Sequence, residues 1–357
     1  MSSYFSKQHE KLIPYTPGEQ PKDKSCIKLN TNELPYPASP LALKLARQAA
    51  EDLNLYPDPD SSILRKTAAE VFQIREDQIL FTNGSDEALN YALMAYCDKD
   101  VPLVFPDVTY SFYKVIADLN HVSYTCIPVK EDLSIDIHDY LSNNATILIA
   151  NPNAPGGLSL SNDDIETILK ANPDHVLILD EAYGDFNEEN AIPLISKYEN
   201  LLIVRTFSKS YGMAGARLGY MIANGKLIED INTLRNSNNP YCVDRMAMMA
   251  GVGALRDQSY LNACVTQIKK TRAETKCRLE GLGFAVLNSS TNFLFAKHPS
   301  FDGRKLYLDL KENGILVRHF NTERLHEFIR ISIGTDEQMD VLIKTLKTLL
   351  EENDANS

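Results

Sequence analysis

The sequence predicts an α/β protein: a large domain with a mostly parallel sheet covered by helices on both faces, plus a smaller α+β domain and an N-terminal arm. Three observations predict it. Between Ile79 and Ile222 six short apolar runs (ILFTN, VPLVFP, TILIAN, VLILDEAY, LLIVRTFS and LGYMIA) alternate with helical patterns. Several of these runs are apolar throughout rather than at every second residue, as strands covered on both faces must be. Past Asn224 the pattern turns to helices mixed with short strands, which calls for a second core.

Taken in order, residues 1–32 carry neither the helical nor the strand period and are rich in proline and polar residues (LIPYTPGEQPKDKS), so they form an arm that needs a surface to lie on. Ser39-Pro40 then supplies a cap and a first-turn proline for an amphipathic helix with Leu41, Leu45, Ala49 and Leu53 on one face, ended by Tyr56-Pro57-Asp58. The large domain is expected over 33–243. A stretch without proline from Val243 to Leu282 reads as a long connecting helix that opens the small domain, 244–357. There GFAVL, NFLFAK, GILVRHF and FIRISIG read as strands, and Met339, Leu342, Ile343, Leu346 and Leu350 mark the buried face of a last helix. The tail after Leu350 is expected to fray.

Composition narrows the function. A chain of 357 residues, 44% of them hydrophobic, can bury a sizeable core. The formal net charge is −12 and no block of Lys and Arg is present, which excludes nucleic acid or an anionic membrane as the main partner and leaves any anionic substrate to local arginines. Six scattered cysteines, without a CxxC pair or a His cluster, suit a reducing compartment and no metal site. The start, MSSYFSKQHEKLIPY, lacks the apolar run of a signal peptide, and no long apolar stretch suits a membrane span, so a cytoplasmic location is expected.

Three segments carry chemistry. In FTNGSDEAL a strand ends at Asn83-Gly84 and a helix opens at Ser85-Asp86, so free backbone N–H groups there make an anion site; the plainer reading is a helix start capped by Ser85 or Asp86. In VLILDEAY, Asp180 ends a buried strand, where a carboxylate must find a cation, either a protein side chain or a protonated ring nitrogen of a ligand. In TFSKSYGMAGARLGY, Lys209 stands among small residues where a bound aldehyde can approach it, a candidate Schiff-base lysine; Thr206, Ser208 and Arg217 offer donors for phosphate oxygens.

In this order on one α/β domain, the three segments resemble fold type I pyridoxal-phosphate enzymes and, within them, the class I and II aminotransferases. The resemblance covers nearly the whole chain. It extends to IPYTPG (13–18), KLNTNELPYP (28–37), LYPDP (55–59), PDVTYSFY (106–113), NPNAPGG (151–157), GILVRHF (314–320) and IRISIGT (329–335), which point to the subgroup acting on a phosphorylated amine. The resemblance implies pyridoxal 5'-phosphate as cofactor, a small-molecule amine and a 2-oxo acid as substrates, and a homodimer with sites shared across the interface. It implies that Gly84, Ser85, Asp86, Thr206, Ser208 and Arg217 hold the cofactor phosphate, with Tyr56 reaching it from the neighbouring subunit. Tyr110 would stack on the ring, Asp180 pair with its nitrogen and Tyr183 bond its phenolic oxygen, Lys209, Asp180 and Tyr183 being the catalytic set. Arg330 would clamp a carboxylate, and Arg318 and Tyr15 would meet the substrate phosphate.

Two departures stand out. The family's NPNNPTG is here Asn151-Pro152-Asn153-Ala154-Pro155-Gly156-Gly157, so Ala154 replaces a donor to the phenolic oxygen; Asn153 or Asn151 is the candidate stand-in, with Asn153 taken as the cofactor-binding residue, and Tyr183 is expected to carry more of the role. The usual NENP is here Asn32-Glu33-Leu34-Pro35. The same fold and lysine segment also serve a decarboxylase of a phosphorylated amino acid and aromatic amino-acid aminotransferases; a ligand-sensing module lacks its helix-turn-helix region.

Overall fold

The computed structural model describes residues 2–21 and 26–355. Its strands are β1 (Ile27–Lys28), β2 (Ile79–Thr82), β3 (Leu103–Pro106), β4 (Tyr124–Ile127), β5 (Thr146–Ala150), β6 (Leu177–Asp180), β7 (Leu201–Thr206), β8 (Gly219–Ala223), β9 (Ala285–Val286), β10 (Phe293–Lys297), β11 (Ile315–Leu316), β12 (Arg318–His319) and β13 (Ile329–Ser332). The helices are α1 (Pro40–Ala49), α2 (Ser62–Phe72), α3 (Gly84–Tyr96), α4 (Phe112–Leu119), α5 (Asn162–Ala171), α6 (Gly225–Asn238), α7 (Arg245–Arg256), α8 (Gln258–Gly281), α9 (Gly303–Glu312) and α10 (Asp336–Ala355).

Seven strands form one sheet in the order β2-β8-β7-β6-β5-β3-β4. Only β8 runs against its neighbours β2 and β7; the other pairings are parallel. The strands are apolar throughout because successive side chains feed opposite cores. Leu177 and Leu179 point into a cluster with α1, α2, α5 and α7, while Ile178 points into one with α3, α4 and α6. Strand β4 was not among the expected runs, since this edge strand leaves YTCI half-exposed and without a continuous apolar signal.

The C-terminal unit has its own core. Strands β12-β13-β10-β9 form an antiparallel sheet under α8, α9 and α10, with Met339, Leu342 and Leu346 of α10 buried. Helix α10 continues past Leu350 to Ala355, and the last two residues of the tail expected to fray lie outside the described residues. The arm lies on this unit: β1 pairs in parallel with β11, and Glu19 meets Lys311 and the Tyr307 hydroxyl.

Two expectations change. The stretch from Val243 to Leu282 is two helices, because Asp257 leaves the helical region and its carboxylate caps the next turn at Tyr260 N–H. The first of them, α7, packs on α1 and α2 in the core of the large sheet. Leu53 falls beyond the end of α1 and is 60% exposed; Ala42 and Ala49, with Leu45 and Ala46, face the core instead.

The α1–α7 crossing has no room for a side chain at Gly253, where a Cβ would come within 2.6–2.8 Å of the backbone of Leu41 and Ala42. Gly253→Ala is therefore expected to force the helices apart and to cost about 1–3 kcal/mol, despite the better helix propensity of alanine. Urea unfolding of the purified variant checks this, and an unchanged midpoint would contradict it.

Candidate active site

Strand β8 is antiparallel to both β2 and β7, so the carboxyl ends of β2, β3, β5, β6 and β7 share one edge of the sheet. Asp180, the turn before α3, the loop carrying Tyr110, Asn153 and the segment from Thr206 to Arg217 are all delivered to that edge.

At one side of it α3 starts at Gly84, whose φ of +80° suits glycine. Ser85 and Asp86 thus lie inside the first turn and are not its cap, and Asn83 in the cap position contributes no side-chain bond. A Cβ at Gly84 would come 2.6 Å from Arg217 Nη2, so the guanidinium rests directly on the turn. Arg217 Nη1 lies 3.4 Å from Ser208 Oγ, and the Thr206 hydroxyl is 3.0 Å from Ser208 Oγ and accepts from Ser208 N–H at 3.1 Å. A helix N-terminus, two hydroxyls and a guanidinium fork converge on one spot, the donor set of a phosphate cup. The Asp86 carboxylate closes it, accepting from Arg217 Nη2 at 3.3 Å and the Tyr110 hydroxyl at 3.2 Å.

Further along the edge Asp180 shares the sheet face of Ile178 and is buried. It accepts from the Tyr113 hydroxyl at 2.7 Å and from Ala182 N–H at 3.0 Å, and no cation pairs with it among the described residues. Burial pushes its carboxyl up to about 6 against the pull of these two donors. Lys209 Nζ donates to the Thr31 carbonyl at 3.1 Å and lies 5.4 Å from the centre of the Tyr183 ring. The Tyr183 hydroxyl accepts from Asn32 Nδ2 at 2.8 Å. A buried network underlies these residues: Arg205 bonds Glu181 at 2.7 Å and Asp185 at 3.1 Å, and Asp185 also accepts from the Ser210 hydroxyl.

The arginines lie on the C-terminal sheet. Arg318 and Arg330 are direct partners across β12 and β13, and each guanidinium lies 5.6 Å from the centre of the Phe320 ring. Arg330 donates to the Asn30 carbonyl at 3.0 Å, keeps a buried Nε without a partner, and is lowered from the usual arginine range by burial and by Arg318. Neither pairs with a carboxylate among the described residues, so two adjacent positive charges are left for an anion. Tyr15, from the arm, packs edge-on against Tyr110 and Phe112 at 5.9 and 5.7 Å.

Not every expected residue joins the group. Asn153 donates Nδ2 to the Val108 carbonyl at 2.9 Å and accepts from Thr109 at 2.7 Å, so its amide braces the Tyr110 loop. Tyr56 is 80% exposed and stacks on Tyr241 at 4.8 Å, with Arg245 on its carbonyl, away from the site residues of its own chain. Sequence reasoning gave no site role to Tyr113, Thr31 and Asn32, although they lie in the segments PDVTYSFY and KLNTNELPYP; their bonds to Asp180, Lys209 and Tyr183 span 67, 178 and 151 residues, which a local segment does not show.

The raised carboxyl of Asp180 has a stability consequence. Its pKa in the folded chain is about 6 against 3.8 unperturbed, so its charged form costs stability fully above pH 6, and the cost fades as pH falls from 6 towards 4. Asp180→Asn is expected to stabilise the ligand-free protein by roughly 2–3 kcal/mol at pH 7.5, with the difference vanishing near pH 4. Denaturant unfolding at the two pH values checks this; a destabilised variant at pH 7.5 would refute it.

Comparison with known proteins agrees with this geometry. The family model for aminotransferase class I and II matches residues 24–346. The histidinol-phosphate aminotransferase of Brachyspira hyodysenteriae is 45% identical over 98% of this chain and 100% of its own length. That of a Marinomonas species is 46% identical with the same coverage. In structure, the histidinol-phosphate aminotransferase of Sinorhizobium meliloti in complex with pyridoxal-5'-phosphate superposes with a TM-score of 0.88 at 26% identity, over 98% of this chain and 99% of that one. On the fold, the carboxyl-edge site and these full-length likenesses, the chain belongs to the class I and II aminotransferase family.

Proposed function

We propose that the chain transfers an amino group from histidinol phosphate to 2-oxoglutarate, with pyridoxal 5'-phosphate held at the carboxyl edge of the large sheet and Lys209 as its covalent partner. The observation that carries the substrate is the Arg318–Arg330 pair, two neighbouring guanidinium groups without carboxylate partners among the described residues. A dianionic phosphate ester and a carboxylate must use one pocket in turn, and a planar guanidinium accepts either in a bidentate fork. The full-length likeness to histidinol-phosphate aminotransferases supports the same reading.

The residues present fit the cofactor. Gly84, Ser85, Thr206, Ser208 and Arg217 offer phosphate donors, and Asp180 is a buried carboxylate lacking a cation partner among the described residues, as a protonated ring nitrogen requires. Tyr110 stands beside this cup and would stack on the ring. When bound, the cofactor supplies an aldehyde that condenses with amines and a ring that takes up the electron pair left when the substrate loses its Cα proton.

The protein supplies the rest. Lys209 Nζ, held by the Thr31 carbonyl, would move that proton. Asp180 would pair with the ring nitrogen and favour its protonated form, and the Tyr113 and Ala182 donors fix its carboxylate plane. Arg330 binds the substrate anion on a side chain anchored at the Asn30 carbonyl, Arg318 adds donors that a phosphate uses more fully than a carboxylate, and Tyr15 closes over the same end.

The working unit is a cytoplasmic homodimer. Leu53, Leu55, Tyr56 and Tyr241 are large, exposed and close in the chain or stacked, and Tyr56 then reaches the phosphate of the neighbouring site. No helix among the described residues is long and apolar enough to cross a membrane.

Two outcomes are expected. Arg318→Ala should reduce the histidinol-phosphate half-reaction at least about tenfold more than the glutamate half-reaction, since a charge-assisted bond is worth about 1.5–3 kcal/mol. Single-turnover assays of each half-reaction decide it, and equal losses would remove Arg318 from phosphate recognition. Sedimentation at assay concentration should show a dimer; a fully active monomer would end the shared-site reading.

A further inference from the structure

A hydrogen-bond relay with a fixed direction runs from the C-terminal sheet into the site. The backbone N–H of Asn32 can only donate, and it donates to Ser332 Oγ at 2.9 Å. The hydroxyl of Ser332 then places its own proton on Asn32 Oδ1, 2.8 Å away. That fixes Oδ1 as the acceptor end of the amide and leaves Nδ2 to donate to the Tyr183 hydroxyl at 2.8 Å. Asn32 and Ser332 are both buried, so water does not scramble the order. A phenol that accepts from an amide turns its proton elsewhere, and among the described residues the Tyr183 hydroxyl donates to no protein acceptor.

The backbone holds the relay in place. Asn32 has φ +59°, a left-handed conformation that asparagine tolerates better than most side chains, and its carbonyl accepts from Asn292 Nδ2 at 2.9 Å. The flanking carbonyls serve the same site, Asn30 holding Arg330 and Thr31 holding Lys209.

We propose that Asn32 is a positioning residue that polarises Tyr183, forcing its phenol to act as a donor aimed at the phenolic oxygen of the cofactor. The role matters in this chain because Ala154 has no donor and the Asn153 amide is engaged by Val108 and Thr109. The proposal rests on the cofactor assignment given above.

The test is an absorbance titration of the holoenzyme, following the pH at which the cofactor–lysine linkage loses its proton. A donor on the phenolic oxygen stabilises its negative charge and lowers that pH. Asn32→Asp can only accept, draws the Tyr183 proton to itself, and is expected to raise the transition by about one pH unit or more. Its added charge acts in the same direction, so the substitution is repeated in a Tyr183→Phe background, where the shift must shrink. Asn32→Gly, which suits the left-handed backbone and adds no charge, should raise the transition by less, and it carries the test if the aspartate variant fails to fold. An unmoved transition in Asn32→Gly, or an equal Asn32→Asp shift with and without the Tyr183 hydroxyl, overturns the proposal. Lys209→Ala separates the two levels: a titrating band that survives it overturns the Lys209 assignment and this inference together, whereas a band lost there but indifferent to Asn32 removes the positioning role alone.

Discussion

Parallel strands cannot be joined by tight turns. Each must be followed by a crossover, and the crossovers in this sheet deliver the ends of β2, β3, β5, β6 and β7 to a single edge. Residues as far apart as Gly84 and Arg217 meet there because strand direction leaves them no other place. The antiparallel β8 extends the arrangement, since its start at Gly219 lies opposite both Thr82 and Thr206 and brings Arg217 back to the turn that opens α3.

Charge within this frame falls into two classes. The Glu181–Arg205–Asp185 group is buried and paired, with Ser210 as a fourth member; such networks add little net stability, yet removing one partner is costly. Glu181 follows Asp180 and Ser210 follows Lys209, so the network ties together the two backbone segments whose side chains face the site. Asp180 and the Arg318–Arg330 pair belong to the other class, charges without a countercharge among the described residues. A ligand of opposite sign would offset the buried charge of Asp180 and answer the two half-buried arginines, and the arrangement of those signs describes that ligand: a cation near the large sheet, an anion near the small one.

Much of this was legible in the sequence, and the physics of the rest explains why it was not. All six apolar runs became strands because two-sided burial leaves a continuous signal, while YTCI at the sheet edge, half exposed, left none. The helix break at Asp257 escaped notice because an aspartate suits both a helix surface and a cap, and only its capping bond to Tyr260 distinguishes them. Lys209, Asp180 and Arg217 sit in segments whose local composition suggests chemistry. Tyr113 and Asn32 act through neighbours distant in sequence, and their types alone say nothing; Tyr113 reads as one more apolar residue of α4 until the hydroxyl is seen on Asp180.

Asp86 occupies an unexpected position, an acid against the same guanidinium that faces the helix N-terminus. Arg217 and Asp86 leave 47% and 38% of their side-chain area exposed, so the bond between them is weak and screened by salt. An anion arriving at Arg217 therefore exchanges with Asp86 rather than meeting a bare charge. Chloride gains almost nothing from such an exchange. A ligand with several directed oxygens also engages the hydroxyls of Thr206 and Ser208 and the amides of the first turn, which Asp86 does not reach in this structure. At this end of the site the number of directed acceptor atoms a ligand presents therefore matters as well as its charge.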